Sequence, residues 1–255
     1  MNTHVGRALA LMLALASPAV PAWTPVSGTE LLSPELRRMQ EDEFENPGML
    51  MVDEGRAAFA EPGFNGKSCA SCHGEDGEGL DRARIAAYPV WDPETRGPMN
   101  LRMRIDRCRQ TGMDEFPEPY ESRLLLALET FSRYKARGTP VQVSVEGPMK
   151  AHYEAGRRLF ETRMGQLDLA CVLCHETWVG RHLRSQVLTQ GQTNAFPAYR
   201  LTTGRVTGLH RKFTDCLITL RAEPWPVGSP EYLDLEVYMA ARGNGLPIET
   251  PGIRR

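Results

Sequence analysis

Two cysteine pairs in the sequence are each followed directly by a histidine. They are Cys69-Ala-Ser-Cys72-His73 and Cys171-Val-Leu-Cys174-His175. At this spacing each thiol can add to a haem vinyl group as a thioether, and the histidine can supply an axial nitrogen to the iron. A zinc site is the alternative, but a structural zinc ion needs a closed set of four ligands. Two complete motifs therefore predict two covalently bound haem c groups.

Two further cysteines, Cys108 and Cys216, lie outside these motifs. They could form a disulfide with each other, they could be inert core residues, or each could be the second axial ligand of its own haem. Cys108 follows His73 by 35 residues, and Cys216 follows His175 by 41. A disulfide would not require such parallel placement, so the spacing favours axial ligation without excluding the other two alternatives.

Methionine and histidine are the usual competitors for the sixth position of a haem iron. The candidates are Met99, Met103, Met113, Met239, His152, His182 and His210. Met239 follows His175 by 64 residues, which would suit an electron-carrying cytochrome, but a methionine in a closing helix more often fills the core. None of these residues is duplicated between the two halves, whereas the lone cysteine is.

A thiolate ligand would change what each haem does. Its negative charge stabilises ferric iron and should lower the reduction potential far below that of a Met/His site. Such a haem is a poor electron shuttle, and the sulfur itself becomes a candidate reactive atom. Arg211 and Lys212 stand just before Cys216 and could attract a small anion, although a basic pair can also be a solvated surface patch.

The elements that would position these residues occur twice. Glu54-Gly-Arg-Ala-Ala-Phe59 precedes the first motif and Ala155-Gly-Arg-Arg-Leu-Phe160 the second, and both segments are typical of short helices with an apolar face. A long irregular stretch, the lone cysteine and a final helix follow in each half, the final helices being Ser122–Phe131 and Glu231–Tyr238. The pattern predicts a mainly α fold: two tandem cytochrome c-like haem domains with long loops and an N-terminal extension.

The expected boundaries of the signal segment, the extension and the two haem domains follow from local composition. Residues 1–22 combine a short polar start, an apolar run over Ala8–Ala16 and a small-residue cleavage site, as in a secretory signal peptide. Residues 23–50 are expected to form the extension, with a charged helix near Pro34–Glu45. Residues 51–140 are expected to form the first haem domain, and residues 141–255 the second, which carries the active site.

Charge and hydropathy narrow the function classes. The net charge of −2 and the absence of a long Lys/Arg stripe argue against nucleic-acid binding. No later segment approaches the ~20 apolar residues that a membrane helix needs. We therefore expect an exported, periplasmic protein that is not embedded in a membrane.

The C-terminal region resembles the SoxA family, the dihaem subunits of SoxAX cytochrome complexes in sulfur oxidation. The resemblance covers nearly the whole mature chain and is most specific over the stretch that follows Cys216. Its elements are Arg221-Ala-Glu-Pro224, Gly228-Ser-Pro-Glu-Tyr232 and Gly245-Leu-Pro-Ile-Glu-Thr-Pro-Gly252. The resemblance agrees with the haem chemistry that the cysteine motifs predict.

The resemblance implies an enzyme, an L-cysteine S-thiosulfotransferase that joins thiosulfate to a cysteine of the carrier protein SoxYZ and releases two electrons to haem. It implies a heterodimer with the small monohaem cytochrome SoxX, and a downstream cytochrome c as electron acceptor. Cys216 would be the catalytic residue, carrying a cysteine persulfide, and Lys212, with Arg211 beside it, would bind the substrate. The family usually has Arg at the position of Lys212, and Lys keeps the charge but loses the bidentate fork.

Three other functions compete with this one. A dihaem thiosulfate dehydrogenase would couple two thiosulfates to tetrathionate, without any carrier cysteine. A plain dihaem electron-transfer cytochrome would not need thiolate ligands at both haems. A dihaem peroxidase needs one iron open to peroxide, which two cysteine ligands do not leave.

Overall fold

The computed structural model describes residues 23–255, so the predicted signal segment at residues 1–22 lies outside the described residues. The helices are a 3₁₀ turn at Gly28–Leu31, α1 (Pro34–Glu41), α2 (Met49–Ala60), α3 (Cys69–His73), α4 (Arg82–Ala86), α5 (Leu101–Met113), α6 (Arg123–Lys135), α7 (Met149–Glu161), a π-helical turn at Leu173–Thr177, α8 (Leu209–Thr219) and α9 (Pro230–Arg242). Within the described residues, no helix is long and apolar enough to cross a membrane.

Short strands fill the connections between the helices. They are β1 (Val90–Asp92), β2 (Gly97–Met99), β3 (His182–Leu183), β4 (Gln186–Val187), β5 (Ala198–Arg200), β6 (Arg205–Thr207) and β7 (Gly252–Arg254). β1 pairs with β2 and β3 with β4 as antiparallel hairpins. β5 lies at the centre of a three-stranded sheet, antiparallel to β6 and parallel to β7.

Local sequence explains where the longer helices begin. Ser33, Asn100, Ser122 and Ser229 each accept a hydrogen bond from the backbone N–H three residues later, and so satisfy a donor that the first helical turn leaves free. Proline occupies the first position of α1 and of α9, where its missing N–H is no loss.

Each half is built on one helix crossing. α2 packs against α6 in the first half, and α7 packs against α9 in the second. Gly55 and Gly156 lie at the two crossings. A Cβ atom at Gly55 would overlap the carbonyl oxygen of Ala127, and one at Gly156 would overlap that of Asp234. The glycines therefore allow the helix backbones to approach closely, in the same way in both halves.

The aromatic contacts repeat as well. The Phe59 ring lies 5.1 Å from that of Phe131, and the Phe160 ring lies 5.2 Å from that of Tyr238, at nearly equal tilts. The repeat predicts that Phe59 corresponds to Phe160 and Phe131 to Tyr238, and the similar ring distances and tilts confirm it. The duplicated plan thus reaches from the sequence into the packing of the core.

A shared interior joins the halves. Ile85, Met99 and Leu101 of the first half form one buried cluster with Ala240 and Ile248 of the second. A polar bridge lies beside it, linking the start of α5 to α8 and α9. The carboxylate of Glu236 accepts hydrogen bonds from Asn100 Nδ2 at 2.7 Å and His210 Nε2 at 2.9 Å. Burial acts to raise the pKa of Glu236, but these hydrogen bonds outweigh it and lower the pKa.

Two parts of the chain differ from the expectation. The stretches between haem motif and lone cysteine were expected to be irregular, yet they hold the small hairpins, and both lone cysteines lie within helices, Cys108 on α5 and Cys216 on α8. The charged helix of the extension ends at Glu41, because Asp42 leaves the helical conformation and its side chain accepts from the next turn.

We expect Gly55→Ala and Gly156→Ala each to lower the free energy of unfolding by about 1–3 kcal/mol, because the added methyl group forces the crossing helices apart. Gly112, on α5, is the matched control, since a Cβ atom there meets nothing within 4 Å. Gly112→Ala should leave stability unchanged or raise it by up to about 1 kcal/mol. Chemical denaturation followed by circular dichroism measures all three, and an equal loss in all three would contradict the crossing argument.

Candidate functional site

The second haem motif lies on a helical turn that continues into the π-helical turn Leu173–Thr177. His175 Nδ1 lies 2.8 Å from the carbonyl oxygen of Thr189 and donates its proton there. That bond assigns the tautomer and leaves the lone pair of Nε2 free to ligate. Phe160 lies behind the imidazole, with its ring centre 6.5 Å away. The same pair recurs in the first half, where Phe59 lies 6.3 Å from His73.

Cys216 faces this imidazole from the middle of α8. Burial acts to raise the pKa of its thiol, but the charge of Lys212, the nearby imidazole of His175 and the charge of Arg200 outweigh burial and lower the pKa to about 7. A substantial fraction of the thiol is therefore ionised near neutral pH. Sulfur in this form is both the metal-ligating and the nucleophilic species.

A cavity of about 420 Å³ contains these groups. Its walls include Cys171, Cys174, His175 and Cys216, together with apolar side chains such as Phe160, Phe213, Leu217, Leu220 and Met239. The donor set fits a covalently bound haem: two thiols at motif spacing, one imidazole, one opposing thiol and an apolar enclosure. Within residues 23–255, no three His, Cys, Asp or Glu side chains converge in the arrangement of a bare metal-ion site.

The two basic residues proposed beside Cys216 point differently. Lys212 stands one helical turn before Cys216 and lines the cavity. Arg211 is half exposed, and its Nε lies 3.6 Å from Asp215 Oδ1 on the outer face of α8. The structure therefore brings Lys212 to the site and leaves Arg211 at the surface.

The first motif occupies α3, which begins with a reciprocal cap between Ser68 and Ser71. Cys69 is half-buried, and its sulfur lies 3.8 Å from the sulfur of Met113. Burial and then the nearby Cys108 raise the pKa of Cys69. Cys108 and Cys72 are exposed. The first half thus brings Cys72 and Cys108 near Cys69, in a more open setting than the second half.

The competing ligands occupy other places. Met239 lies beside the His175 ring, at the point where a Cβ atom on Gly191 would meet both. Met99 and Met103 belong to the cluster shared by the two halves, and Met113 contacts Cys69. The histidines have partners or positions of their own: His152 pairs with Asp234, His210 with Glu236, and His182 lies on β3 at the cavity wall.

Several residues that line the cavity were not predicted from the sequence. Gly28, Leu31 and Leu36 of the N-terminal extension line the cavity, as do Arg200 and Arg254 of the small sheet. The extension is held there by Gln40, which accepts from the backbone N–H of Ile253 at 2.9 Å. These contacts join segments far apart in the chain and leave no local pattern in the sequence.

The fold and the site define a class: a mainly helical protein with two tandem c-type cytochrome units. The family model described as the SoxA/TsdA cytochrome c domain matches the chain twice, at residues 54–141 and 155–248. These two matches agree with the duplicated helix crossings and confirm the predicted fold class.

Relatives narrow the class further. The chain is 38% identical to the L-cysteine S-thiosulfotransferase subunit SoxA of Pseudaminobacter salicylatoxidans over 90% of this chain and 81% of that protein. It is likewise 38% identical to the SoxA subunit of Rhodovulum sulfidophilum, over 89% of this chain and 79% of that protein. The crystal structure of SoxXA from P. pantotrophus matches with a TM-score of 0.85 at 33% identity, covering 91% of this chain and 87% of the other. The chain therefore belongs to the SoxA family.

Proposed function

We propose that this chain is the haem-bearing subunit of an L-cysteine S-thiosulfotransferase, which oxidatively joins thiosulfate to a cysteine of a carrier protein. One observation carries the proposal. In a member of the SoxA family, a half-buried thiol with a lowered pKa faces an imidazole within a cavity that also holds basic side chains. Such a site can attract a small dianion and place it against sulfur.

The proposed reaction makes one bond. The carrier thiol, R–SH, and thiosulfate, S–SO₃²⁻, give R–S–S–SO₃⁻, one proton and two electrons. No bond within thiosulfate breaks, so the sulfonate group stays intact and must be held while the terminal sulfur reacts. A cationic wall beside Cys216 suits that requirement, because charge-assisted hydrogen bonds to oxyanions are the strong ones.

We infer that two haem c groups are bound, and that when bound they supply one-electron acceptor centres. The second would be held covalently by Cys171 and Cys174 with axial His175 and Cys216, and the first by Cys69 and Cys72 with axial His73 and Cys108. Thr189 would keep His175 oriented through its carbonyl oxygen. Cys216, carrying an additional sulfur as a persulfide, is the proposed catalytic residue, and Lys212 a proposed substrate-binding residue.

The proposal extends to partners and location. The matching crystal structure is that of SoxXA, which supports a heterodimer with a small cytochrome of the SoxX type. We further propose the SoxYZ carrier protein and thiosulfate as substrates, a cytochrome c as the downstream acceptor, and export of the chain to the periplasm by residues 1–22. Residues 51–140 and 141–255 are the proposed haem domains, the second bearing the active site.

The decisive experiment compares two assays of the haem-loaded complex with thiosulfate and an electron acceptor. We expect mass spectrometry to find a thiosulfonate adduct on the carrier protein when the carrier is present, and no tetrathionate when it is left out. Tetrathionate formed from thiosulfate alone would identify a thiosulfate dehydrogenase instead. Electron transfer without either product would identify a plain electron carrier.

A further inference from the structure

Three arginines lie side by side across the small sheet. β5 pairs with β6 so that Arg200 faces Arg205, and with β7 so that Arg200 faces Arg254. Residues paired in this way project from the same face of a sheet, and like charges at such positions destabilise it. The arrangement therefore works against folding unless each charge finds a partner or water.

The two outer arginines are compensated. Arg205 is exposed to water. Arg254 donates to Gln40 Oε1 at 2.8 Å, and its guanidinium lies 3.7 Å from the carboxylate of Glu249. The charges at both edges of the row are thus compensated, that of Arg205 by water and that of Arg254 by Gln40 and Glu249.

Arg200, at the centre of the row, has neither an exposed position nor a compensating partner. It is only 6% exposed. In the part of the chain that the structure describes, its guanidinium makes no hydrogen bond and no ion pair within 4 Å of a carboxylate. Burial lowers the pKa of Arg200, and the negative charges of Cys216 and Asp215 offset this only in part. No nitrogen of Arg200 is among the fully buried unpaired atoms of the described chain, and the side chain lines the cavity, so the guanidinium can reach a ligand there. A largely buried cation without a protein partner is costly, which points to a ligand that completes it.

The surroundings of Arg200 indicate the charge and place of that ligand. Arg200 lines the cavity with Lys212, and both side chains act electrostatically on the thiol of Cys216. Arg255 and Arg254 add further positive charge to the wall, while no Asp or Glu among the described residues lines it. The ligand is therefore a small anion held beside the sulfur of Cys216.

We propose that Arg200 is a substrate-binding residue that grips the sulfonate oxygens of thiosulfate, with Lys212 as the second cation, and so directs the terminal sulfur toward Cys216. This inference rests on the proposed function. A guanidinium presents two parallel N–H donors to an oxyanion, the bidentate fork that Lys212 lacks. The two residues would divide the task, Arg200 fixing the orientation and Lys212 adding charge.

Arg200→Gln in the haem-loaded complex tests the proposal, with Arg205→Gln as the matched control from the exposed edge of the same sheet. We expect the KM for thiosulfate to rise about 10- to 100-fold in Arg200→Gln, the loss typical of a hydrogen bond to a charged group. Arg205→Gln should keep the KM of the wild type. Arg200→Lys, which keeps the charge without the fork, should fall between them.

Binding of sulfate, measured by isothermal titration calorimetry, supplies a readout that does not depend on turnover, because sulfate has an oxygen in place of the terminal sulfur of thiosulfate. The dissociation constant for sulfate should rise in Arg200→Gln and stay at the wild-type value in Arg205→Gln. Sulfate should inhibit the wild type and Arg205→Gln competitively, and its inhibition constant should rise in Arg200→Gln in parallel with the KM. Methylguanidinium added to Arg200→Ala should restore a low KM by filling the vacated space.

These experiments distinguish a failure of the proposed function from a failure of the assignment of Arg200. If the wild type forms no thiosulfonate adduct, the proposed function is wrong, and the question of Arg200 becomes one of sulfate binding alone. If the wild type is active and Arg200→Gln keeps its KM and its sulfate inhibition, the assignment of Arg200 is overturned. A changed haem content or absorption spectrum with an unchanged KM would overturn it too, since Arg200 would then hold a haem carboxylate.

Discussion

Replacing Cys216 with alanine is expected to lower thiosulfate conjugation by roughly 10³-fold or more, the scale of losing a catalytic nucleophile. The sulfur of Cys216 is the only thiol in the cavity besides those of the haem motif, within the residues the structure describes. No neighbouring side chain can take over its role. Haem content should stay at the wild-type level, because the proposed covalent attachment is through Cys171 and Cys174 and does not involve Cys216.

Cys108→Ala is the matched control, since it removes the corresponding thiol from the first half. It should retain most of the conjugation activity, because Cys108 lies outside the cavity that holds Cys216 and Lys212. The arginines on either side of Cys108 are already paired, Arg107 with Asp92 and Arg109 with Asp106. Magnetic resonance of the oxidised protein should show two low-spin thiolate signatures in the wild type and lose one in each variant. Wild-type turnover in Cys216→Ala would contradict the catalytic role, and Met/His signatures would contradict the ligand assignment.

Arg102→Met is expected to lower the free energy of unfolding by about 3–5 kcal/mol, as is usual when one partner of a buried ion pair is removed. Arg102 is 2% exposed. It pairs with Glu129 and Glu121, each at 2.8 Å, and its guanidinium lies 5.0 Å from the ring centre of Tyr120. Methionine fills a similar volume but leaves both carboxylates without their cation.

The effect should reach the second half, because the Arg102 guanidinium lies against Gly208, the residue that precedes α8. Arg123→Gln is the control: its pair with Glu54 is exposed, so stability should change little. Denaturation followed at once by circular dichroism and haem absorption measures both variants. Equal midpoints for Arg102→Met and Arg123→Gln would show that burial of this charge does not matter.

The parts of the molecule that were predicted correctly share a local origin. The apolar spacing around Phe59 and Phe160 and the aligned aromatics Phe131 and Tyr238 indicated the duplicated helices, and the crossings bear this out. The bounds of α8 would also have been enough to predict which of Arg211 and Lys212 shares a helix face with Cys216. At 3.6 residues per turn, a residue four before Cys216 shares its face, and one five before does not.

The missed parts depend on contacts between distant segments. Arg200 becomes a cavity residue only because β5 pairs with β7, and Arg254 comes from that second strand. Neither strand is longer than three residues, so neither shows a period that could be recognised. The site therefore combines residues that a sequence motif predicts with residues that only the tertiary structure places in the cavity.

The contact between Gln40 and Ile253 ties α1 of the N-terminal extension to β7 at the other end of the described chain. The two residues are 213 positions apart, and a neighbour of each, Leu36 and Arg254, lines the same cavity. Because closing so long a loop of chain costs conformational entropy, this contact forms only when the rest of the fold brings α1 and β7 together. A chain shortened before β7 would lack both this contact and the side chain of Arg254, so that side of the cavity would be open to water.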